Sequence, residues 1–225
     1  MTGLELRLIA ADQPAEVVAR LWGTLDAGER ARAERAEQPR RNRFTVVRGA
    51  VRELVAARLG CRPAEVVWRR GRHGKPEPAG AGGLRVNWSA SDALAVLALA
   101  EGRAVGVDVE RLGGARRAER MAARWFPSEE ARFVAEAADP AERAVRFAEL
   151  WCRREACAKA YGGRLTQALG VPVAGPSPVL IADPGPLGAG PVGLLDVPVP
   201  GPYRAAAATV GTRPVQVNPL VWQAC

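Results

Sequence analysis

The sequence predicts an α+β protein made of two pseudo-symmetric lobes, in each of which a long helix packs on a small antiparallel sheet. Two observations support this prediction. Apolar residues recur at helical spacing in residues 39–59 and 140–161, and short segments typical of strands follow each of these stretches. The break Gly113-Gly114 separates the two series, so we expect lobes of residues 1–112 and 113–225.

The elements of the first lobe are predicted in order along the chain. LELRLIA (4–10) alternates as a strand does, and a helix begins near Pro14. The long helix follows, and Gly60 after it is typical of a helix end. A short strand (66–69) and a loop rich in Gly and Pro (71–83) come next. Three strands in succession then predict an antiparallel meander: Leu84–Trp88, Leu94–Ala100 and the run VGVDVE, separated by the turns SASD and EGRA.

The second lobe begins with two short helices, at Arg117–Trp125 and Ser128–Ala138, with Ser128 predicted to cap the second. The long helix of residues 140–161 follows. The segment from Val171 is rich in proline, which suits short edge strands better than a central parallel sheet. Tyr203–Gly211 is the clearest late strand.

Composition narrows the class of protein. The 225 residues carry a formal charge of +8, which favours an acidic partner: nucleic acid, a phosphorylated cofactor, an acidic protein or a membrane surface. Codon bias towards arginine is the alternative explanation of this charge. The four cysteines form no CxxC pair, so we expect reduced thiols at Cys61, Cys152, Cys157 and Cys225. No apolar run is long enough to cross a bilayer and no signal peptide is evident, so a cytoplasmic location is expected.

Three carboxylates are the main candidates for chemistry. In the predicted strand VGVDVE, Asp108 and Glu110 lie on one face with Cα atoms roughly 7 Å apart. Glu155 stands four residues from both Trp151 and Lys159, at the edge of a buried helical stripe. A set of oxygen ligands suits Mg²⁺. The alternative for the first two acids is the solvated face of an exposed strand.

Two other features carry little weight as sites. Gly188, Gly190 and Gly193 match GxGxxG, but Pro191 interrupts the run and no helix is predicted after it, so a nucleotide loop is not indicated. The single histidine, His73, has no GxSxG serine or second metal ligand nearby. We interpret it as a solvated loop residue or a modest substrate contact.

Four segments together resemble the surfactin-type 4′-phosphopantetheinyl transferase family. Its signatures are a GKP loop, an N-x-S-H-S turn, a G-(I/V)-D-(I/V)-E strand and a W-x-x-(K/R)-E-(A/S)-x-x-K helix. They correspond in order to Gly74–Pro76, Asn87–Ser91, Gly106–Glu110 and Trp151–Lys159, and the similarity spans roughly residues 25 to 170.

This resemblance implies a role for each matching residue. Asp108, Glu110 and Glu155 would hold Mg²⁺ against the pyrophosphate of coenzyme A. Glu155 would also deprotonate the carrier-protein serine, directly or through a water on the metal, and Lys159 would stabilise charge on the transferring phosphate. The remaining coenzyme A contacts would come from the basic helix, the GKP loop and the serine turn: Arg43, Arg48, Lys75, Pro76 and Ser89. For each arginine taken singly, a solvated helix face is the alternative.

One position departs from the family pattern, because Ala90 stands where the turn usually has a histidine that helps to bind a coenzyme A phosphate. The acids are retained, so we expect an active monomeric enzyme that moves 4′-phosphopantetheine from coenzyme A to a serine of an acyl or peptidyl carrier protein and releases 3′,5′-ADP. A non-catalytic homologue that binds coenzyme A or carrier protein is the alternative. A basic nucleic-acid-binding protein is a third interpretation, with no recognition module to favour it.

Overall fold

The structure is a computed structural model that describes residues 3–211 and 217–224, except for the side chain of Arg72. It confirms the α+β class. The helices are α1 (Ala15–Thr24), α2 (Ala27–Glu34), α3 (Arg40–Leu59), α4 (Ala115–Trp125), α5 (Ser128–Ala135), α6 (Pro140–Ala160) and α7 (Leu165–Ala168). The strands are β1 (Leu4–Ala10), β2 (Trp68–Arg70), β3 (Pro76–Pro78), β4 (Leu84–Ser91), β5 (Leu94–Glu101), β6 (Val105–Arg111), β7 (Val179–Ile181), β8 (Val192–Asp196), β9 (Tyr203–Val210) and β10 (Leu220–Val221).

The strands form two larger sheets and one short hairpin. The first sheet has the order β10-β1-β5-β4 and the second the order β6-β9-β8-β7, while β2 pairs with β3. All these pairs are antiparallel except β1 with β10, which run parallel. Each larger sheet therefore has a short strand at one edge, β10 or β7, and a long strand at the other edge, β4 or β6.

The cores show how the sheets and long helices are layered. Buried residues of α3 share one apolar cluster with β4 and β5, and buried residues of α6 share another with β8 and β9. A third cluster joins the opposite faces of the two sheets, through Leu6, Val96, Val107 and Ala207 among others. The sheets thus pack on each other with a long helix outside each. The pseudo-symmetry of the two lobes stays a prediction.

Local chemistry explains where the long helices begin and end. Gly60 follows α3 in the left-handed conformation, with a φ of 66°, and its N–H bonds to the carbonyl of Ala56. Asp139 caps α6 by accepting a 2.8 Å bond from the Glu142 N–H, and Pro140 occupies the first turn. The capping role predicted for Ser128 is wrong, because Ser128 is already helical and the preceding Pro127 has no side-chain donor or acceptor to cap α5.

The predicted meander is only half correct. β4 and β5 form a hairpin, but β6 pairs with β9 in the second sheet. β6 cannot extend the first sheet beside β5, because β1 and β4 already occupy the two edges of β5. The chain also returns to the first sheet at β10, and Trp222 is buried in the core beneath α3. The division into lobes at residue 112 stays a prediction.

Two simpler expectations concern thiols and membranes. Cys61, Cys152 and Cys157 are free thiols, and Cys225 lies outside the described residues. Within residues 3–211 and 217–224, no helix combines the length and the apolar character that a membrane crossing needs.

Candidate functional site

Strand β6 places two of the candidate carboxylates in the interior of the protein. Val107 and Val109 face the core between the two sheets, so Asp108 and Glu110 point to the opposite side, towards α6. Asp108 is only 3% exposed and Glu110 is half-buried. The alternative of an exposed, solvated strand face is therefore wrong.

Helix α6 crosses β6 at a glycine. A Cβ atom at Gly106 would lie 2.1 Å from the Ala156 carbonyl oxygen and 2.4 Å from the Ala160 nitrogen. Only a residue without a side chain allows the two backbones to approach so closely. This contact brings Glu155 and Lys159, both on α6, next to the acids of β6.

A network of short polar contacts connects the two elements. The Lys159 ammonium donates to Asp108 Oδ1 at 2.6 Å and to Ser89 Oγ at 3.0 Å. Ser89 in turn donates to the same Asp108 oxygen at 2.8 Å. Ser91 donates to Glu110 Oε2 at 3.2 Å. Asp108 Oδ2 is buried and has no hydrogen-bond partner among the described residues.

The serine segment reaches these acids from a strand rather than from a turn. Asn87 to Ser91 form the end of β4, and the chain turns only after them. Because β4 and β6 belong to different sheets, side chains join them: Asn87 Oδ1 accepts from the Val107 N–H at 2.8 Å, and Ser91 Oγ accepts from the Arg111 N–H at 3.0 Å.

Burial and mutual repulsion perturb the carboxylates. Burial raises the pKa of Glu155, and the charge of Asp108 raises it further, while Lys159 partly offsets both effects. Burial followed by repulsion from Asp108 likewise raises the pKa of Glu110, against the hydrogen bond from Ser91. The three acids therefore lie in one partly buried site, where Lys159 offsets only part of their negative charge.

The acids do not form a ready metal centre. Across the described part of the chain, no group of three or more His, Cys, Asp or Glu side chains is arranged to hold a metal ion. Lys159 occupies Asp108 Oδ1 instead. The donor set nevertheless suits a hard cation, because Asp108 Oδ2 has no partner among the described residues and because burial, followed by repulsion from Asp108, raises the pKa of both glutamates.

A cavity of about 930 Å³ lies beside this cluster, and Ser89 belongs to both. Its wall contains arginines and aromatic rings, together with Ala90 and Pro76. The basic and aromatic members are Arg32, Arg40, Arg43, Arg48, Arg69, Arg70, Phe44, Trp68 and Trp88. Stacking surfaces combined with guanidinium groups suit a ligand that has an aromatic base and several phosphates.

The two arginines expected on α3 differ in their freedom to bind a ligand. Arg48 is 9% exposed, donates to Glu29 from Nε at 2.8 Å, and lies 4.3 Å from the centre of the Trp88 ring. Burial lowers the pKa of Arg48, against the attraction of Glu29. Arg43 instead lies at the cavity rim and forms ion pairs with Asp12, at 2.7 Å, and Asp92.

The GKP loop divides between two sides. Gly74 and Pro76 line the large cavity, whereas Lys75 lines a smaller one of about 150 Å³. The Lys75 ammonium donates to the backbone carbonyls of Val105 and Lys159, at 2.7 Å each. His73 is exposed in a 3₁₀ turn before this loop, and Gly193 of the GxGxxG match lies in strand β8 with no helix directly after it.

Sequence reasoning missed several cavity residues. Arg69 and Arg70 precede the GKP loop on β2, and Arg32 and Arg40 come from α2 and the start of α3. The dipeptide Arg69-Arg70 immediately before Gly71 was a usable signal. The aromatic residues of the cavity could not be recognised from the sequence, because the same spacing is expected whether such residues line a ligand site or pack in a core.

Comparisons with known proteins identify related sequences. Residues 104–178, which include β6 and α6, match the family model of the 4′-phosphopantetheinyl transferase superfamily. The chain is 34% identical over 158 residues to the 4′-phosphopantetheinyl transferase HetI of Nostoc sp. (strain PCC 7120), covering 68% of this chain and 66% of that protein. It is 30% identical over 142 residues to a putative 4′-phosphopantetheinyl transferase, slr0495, of Synechocystis sp. (strain PCC 6803), covering 61% and 57%. The chain thus spans less than two thirds of the length of each relative.

Proposed function

We propose that this chain is a member of the 4′-phosphopantetheinyl transferase superfamily, whose model it matches over residues 104–178, and that it transfers 4′-phosphopantetheine from coenzyme A to a serine of an acyl or peptidyl carrier protein. The observation that carries the proposal is the Lys159–Asp108–Ser89 cluster, which opens through Ser89 onto a cavity lined by arginines and aromatic rings. The surfactin-type subfamily is a finer assignment, which rests on the four sequence signatures.

In the proposed reaction, one residue of α6 accepts the proton of the serine and another stabilises the negative charge of the transferring phosphate. The serine oxygen forms a bond to the phosphorus that carries pantetheine, and the bond from that phosphorus to the leaving 3′,5′-ADP breaks. Glu155 accepts the serine proton, a role that its raised pKa favours. Lys159, already held at Asp108, supplies positive charge to the oxygens of the transferring phosphate.

Mg²⁺ is part of the proposal, with Asp108, Glu110 and Glu155 as the residues that would hold it. Two observations support this assignment: Asp108 Oδ2 has no partner in the described part of the chain, and the pKa of both glutamates is raised. When bound, the ion neutralises charge on the pyrophosphate of coenzyme A. Lys159 would contact Asp108 together with the metal ion and would help to neutralise the negative charge of the three carboxylates.

The donor substrate occupies the large cavity in this proposal. The rings of Trp68 and Trp88 offer stacking surfaces for the adenine, and Arg43 and Arg48 face the phosphates together with Ser89 and Pro76 on the wall. Arg48 binds through the guanidinium edge that Glu29 leaves available. The net charge of +8 suits both the polyanionic coenzyme A and an acidic carrier protein.

The proposed setting is a monomer in the cytoplasm. The free thiols of Cys61, Cys152 and Cys157 support a reducing compartment. Neither nucleic acid nor a membrane is a proposed partner.

Intact-protein mass spectrometry of an apo carrier protein tests the proposal. We expect the carrier to gain one phosphopantetheine group in the presence of coenzyme A and Mg²⁺, and to stay unmodified when EDTA is in excess. Coenzyme A binding without any gain in carrier mass would favour the non-catalytic homologue. Undiminished transfer in EDTA would refute the metal assignment alone.

A further inference from the structure

Lys75 is oriented away from the cavity that its two neighbours line. Gly74 and Pro76 belong to the wall of the large cavity, whereas Lys75 lies in the smaller one with Arg85, Ala160 and Tyr161. Since side chains alternate along an extended segment, the loop cannot present all three residues to one ligand. The ammonium is thus placed at the junction of β6 and α6.

The two acceptors of Lys75 belong to the elements that build the site. One is the carbonyl of Val105, directly before Gly106, where β6 and α6 touch. The other is the carbonyl of Lys159, whose own side chain holds Asp108. These acceptors lie 30 and 84 residues from Lys75 along the chain.

The surroundings of Lys75 also favour a structural cation. The Lys159 carbonyl that accepts from Lys75 lies in the last turn of α6, where the helix dipole attracts the positive charge of the Lys75 ammonium. Burial lowers the pKa of Lys75 to about 8, as expected for an ammonium withdrawn from solvent. Its hydrogen bonds to two carbonyls compensate part of that cost.

We propose that Lys75 is a positioning residue that ties β6 to the end of α6 and thereby holds the Lys159 ammonium against Asp108. This differs from the expectation that Lys75 binds a coenzyme A phosphate. Its consequence for turnover rests on the proposed transferase function, but its consequence for Lys159 does not.

The lysine content of the chain permits a direct test. Lys75 and Lys159 are the only lysines, so Lys75→Met leaves Lys159 as the sole lysine amine. Labelling with acetic anhydride, followed by peptide mapping, measures how accessible that amine is. We expect Lys159 to be acetylated roughly tenfold faster in Lys75→Met than in the unchanged protein, which corresponds to about 1.4 kcal/mol.

Two further variants serve as matched controls. Arg85→Met removes a half-exposed positive charge from the same small cavity without touching either carbonyl bond, so Lys159 labelling should not change. Lys75→Arg keeps donors that can reach carbonyls and should restore most of the protection. If Lys75→Met does not fold by circular dichroism, Lys75→Leu, which also lacks a donor, replaces it with the same expectation.

Binding and turnover separate the two roles of Lys75. A positioning residue predicts a lower kcat with little change in the KM for coenzyme A, and equal effects on the binding of coenzyme A and dephospho-coenzyme A. Unchanged Lys159 labelling in a folded Lys75→Met, or a loss of affinity confined to coenzyme A, would overturn the proposal. If labelling responds while the unchanged protein modifies no carrier, the transferase assignment fails and the positioning role stands.

Discussion

Replacing Gly106 by alanine tests the contact on which the whole site depends. The added methyl carbon would lie 2.1 Å from the Ala156 carbonyl oxygen, and Cβ atoms essentially never approach other atoms within 3.0 Å. The atoms in the way belong to the backbone of α6, so no side-chain rotation relieves the clash. Helix and strand must therefore separate by about 0.9 Å.

That separation is large relative to the contacts of the site. The Lys159–Asp108 bond is 2.6 Å long, and a further 0.9 Å brings it to the limit of hydrogen bonding. A misplacement of about 1 Å can lower turnover about a hundredfold. Overpacking of a core costs about 1–3 kcal/mol, which for a chain of this size lowers Tm by about 2–12 °C.

The assay measures carrier modification and thermal unfolding on the same preparations. Gly170→Ala is the control, because Gly170 is exposed, has no left-handed φ and would place its Cβ within 4 Å of nothing. We expect the control to match the unchanged protein in both measurements. If Gly106→Ala kept full turnover and an unchanged Tm, the close crossing of β6 and α6 would not be what aligns the site.

Three further predictions address the cavity, the buried ion pairs and the acids. Ala90→His should lower the Kd for coenzyme A roughly tenfold, for a net gain of about 1.4 kcal/mol, with a smaller gain for dephospho-coenzyme A; equal gains in calorimetric titrations would show that no phosphate contact forms. Glu29→Ala removes the buried carboxylate that Arg48 and Arg52 share, leaves Arg52 with Asp26 and a backbone carbonyl, and should cost about 3–5 kcal/mol in urea unfolding. The exposed Glu34→Ala should stay within about 0.5 kcal/mol, and similar values for both would contradict the role of Glu29. The raised pKa makes Glu155 bind its proton more tightly in the folded protein than in the unfolded chain, so the free energy of unfolding falls as pH rises above the ordinary pKa of 4.5. In EDTA, Glu155→Gln should therefore raise Tm at pH 7 and lose this advantage below pH 4.5. A gain in Tm that did not depend on pH would refute the charge explanation.

The long helices could be predicted to within about one residue because their ends are local. Gly60 and the pair Asp139-Pro140 act within a few residues of the positions that they terminate or begin. The grouping of Asp108 with Lys159 followed from motif order, which reflects a resemblance and not a calculation of packing. The partner of β6 could not be predicted, because its pairing with β9 joins residues about a hundred positions apart.

The orientation of single side chains also could not be predicted from the sequence. Whether Lys75 faces the cavity or the β6–α6 junction depends on the alternation of a short loop, and a shift of one residue reverses it. Arg48 carries the charge that the motif predicts, but Glu29, nineteen residues earlier, fixes its position. Such partners come from different elements, and neither pattern nor propensity identifies them.

The return of the chain to β1 has a consequence for folding during synthesis. Trp222 donates its backbone N–H to the Leu8 carbonyl at 2.8 Å and buries its ring in the core beneath α3. At about 5–20 residues per second, a ribosome needs roughly 10–40 s after β1 to deliver that tryptophan. Throughout that interval, the edge of β1 that pairs with β10 is exposed, and the apolar core beneath α3 lacks the ring of Trp222. We therefore expect nascent chains that lack residues 217–225 to need more protection by chaperones than the finished protein does.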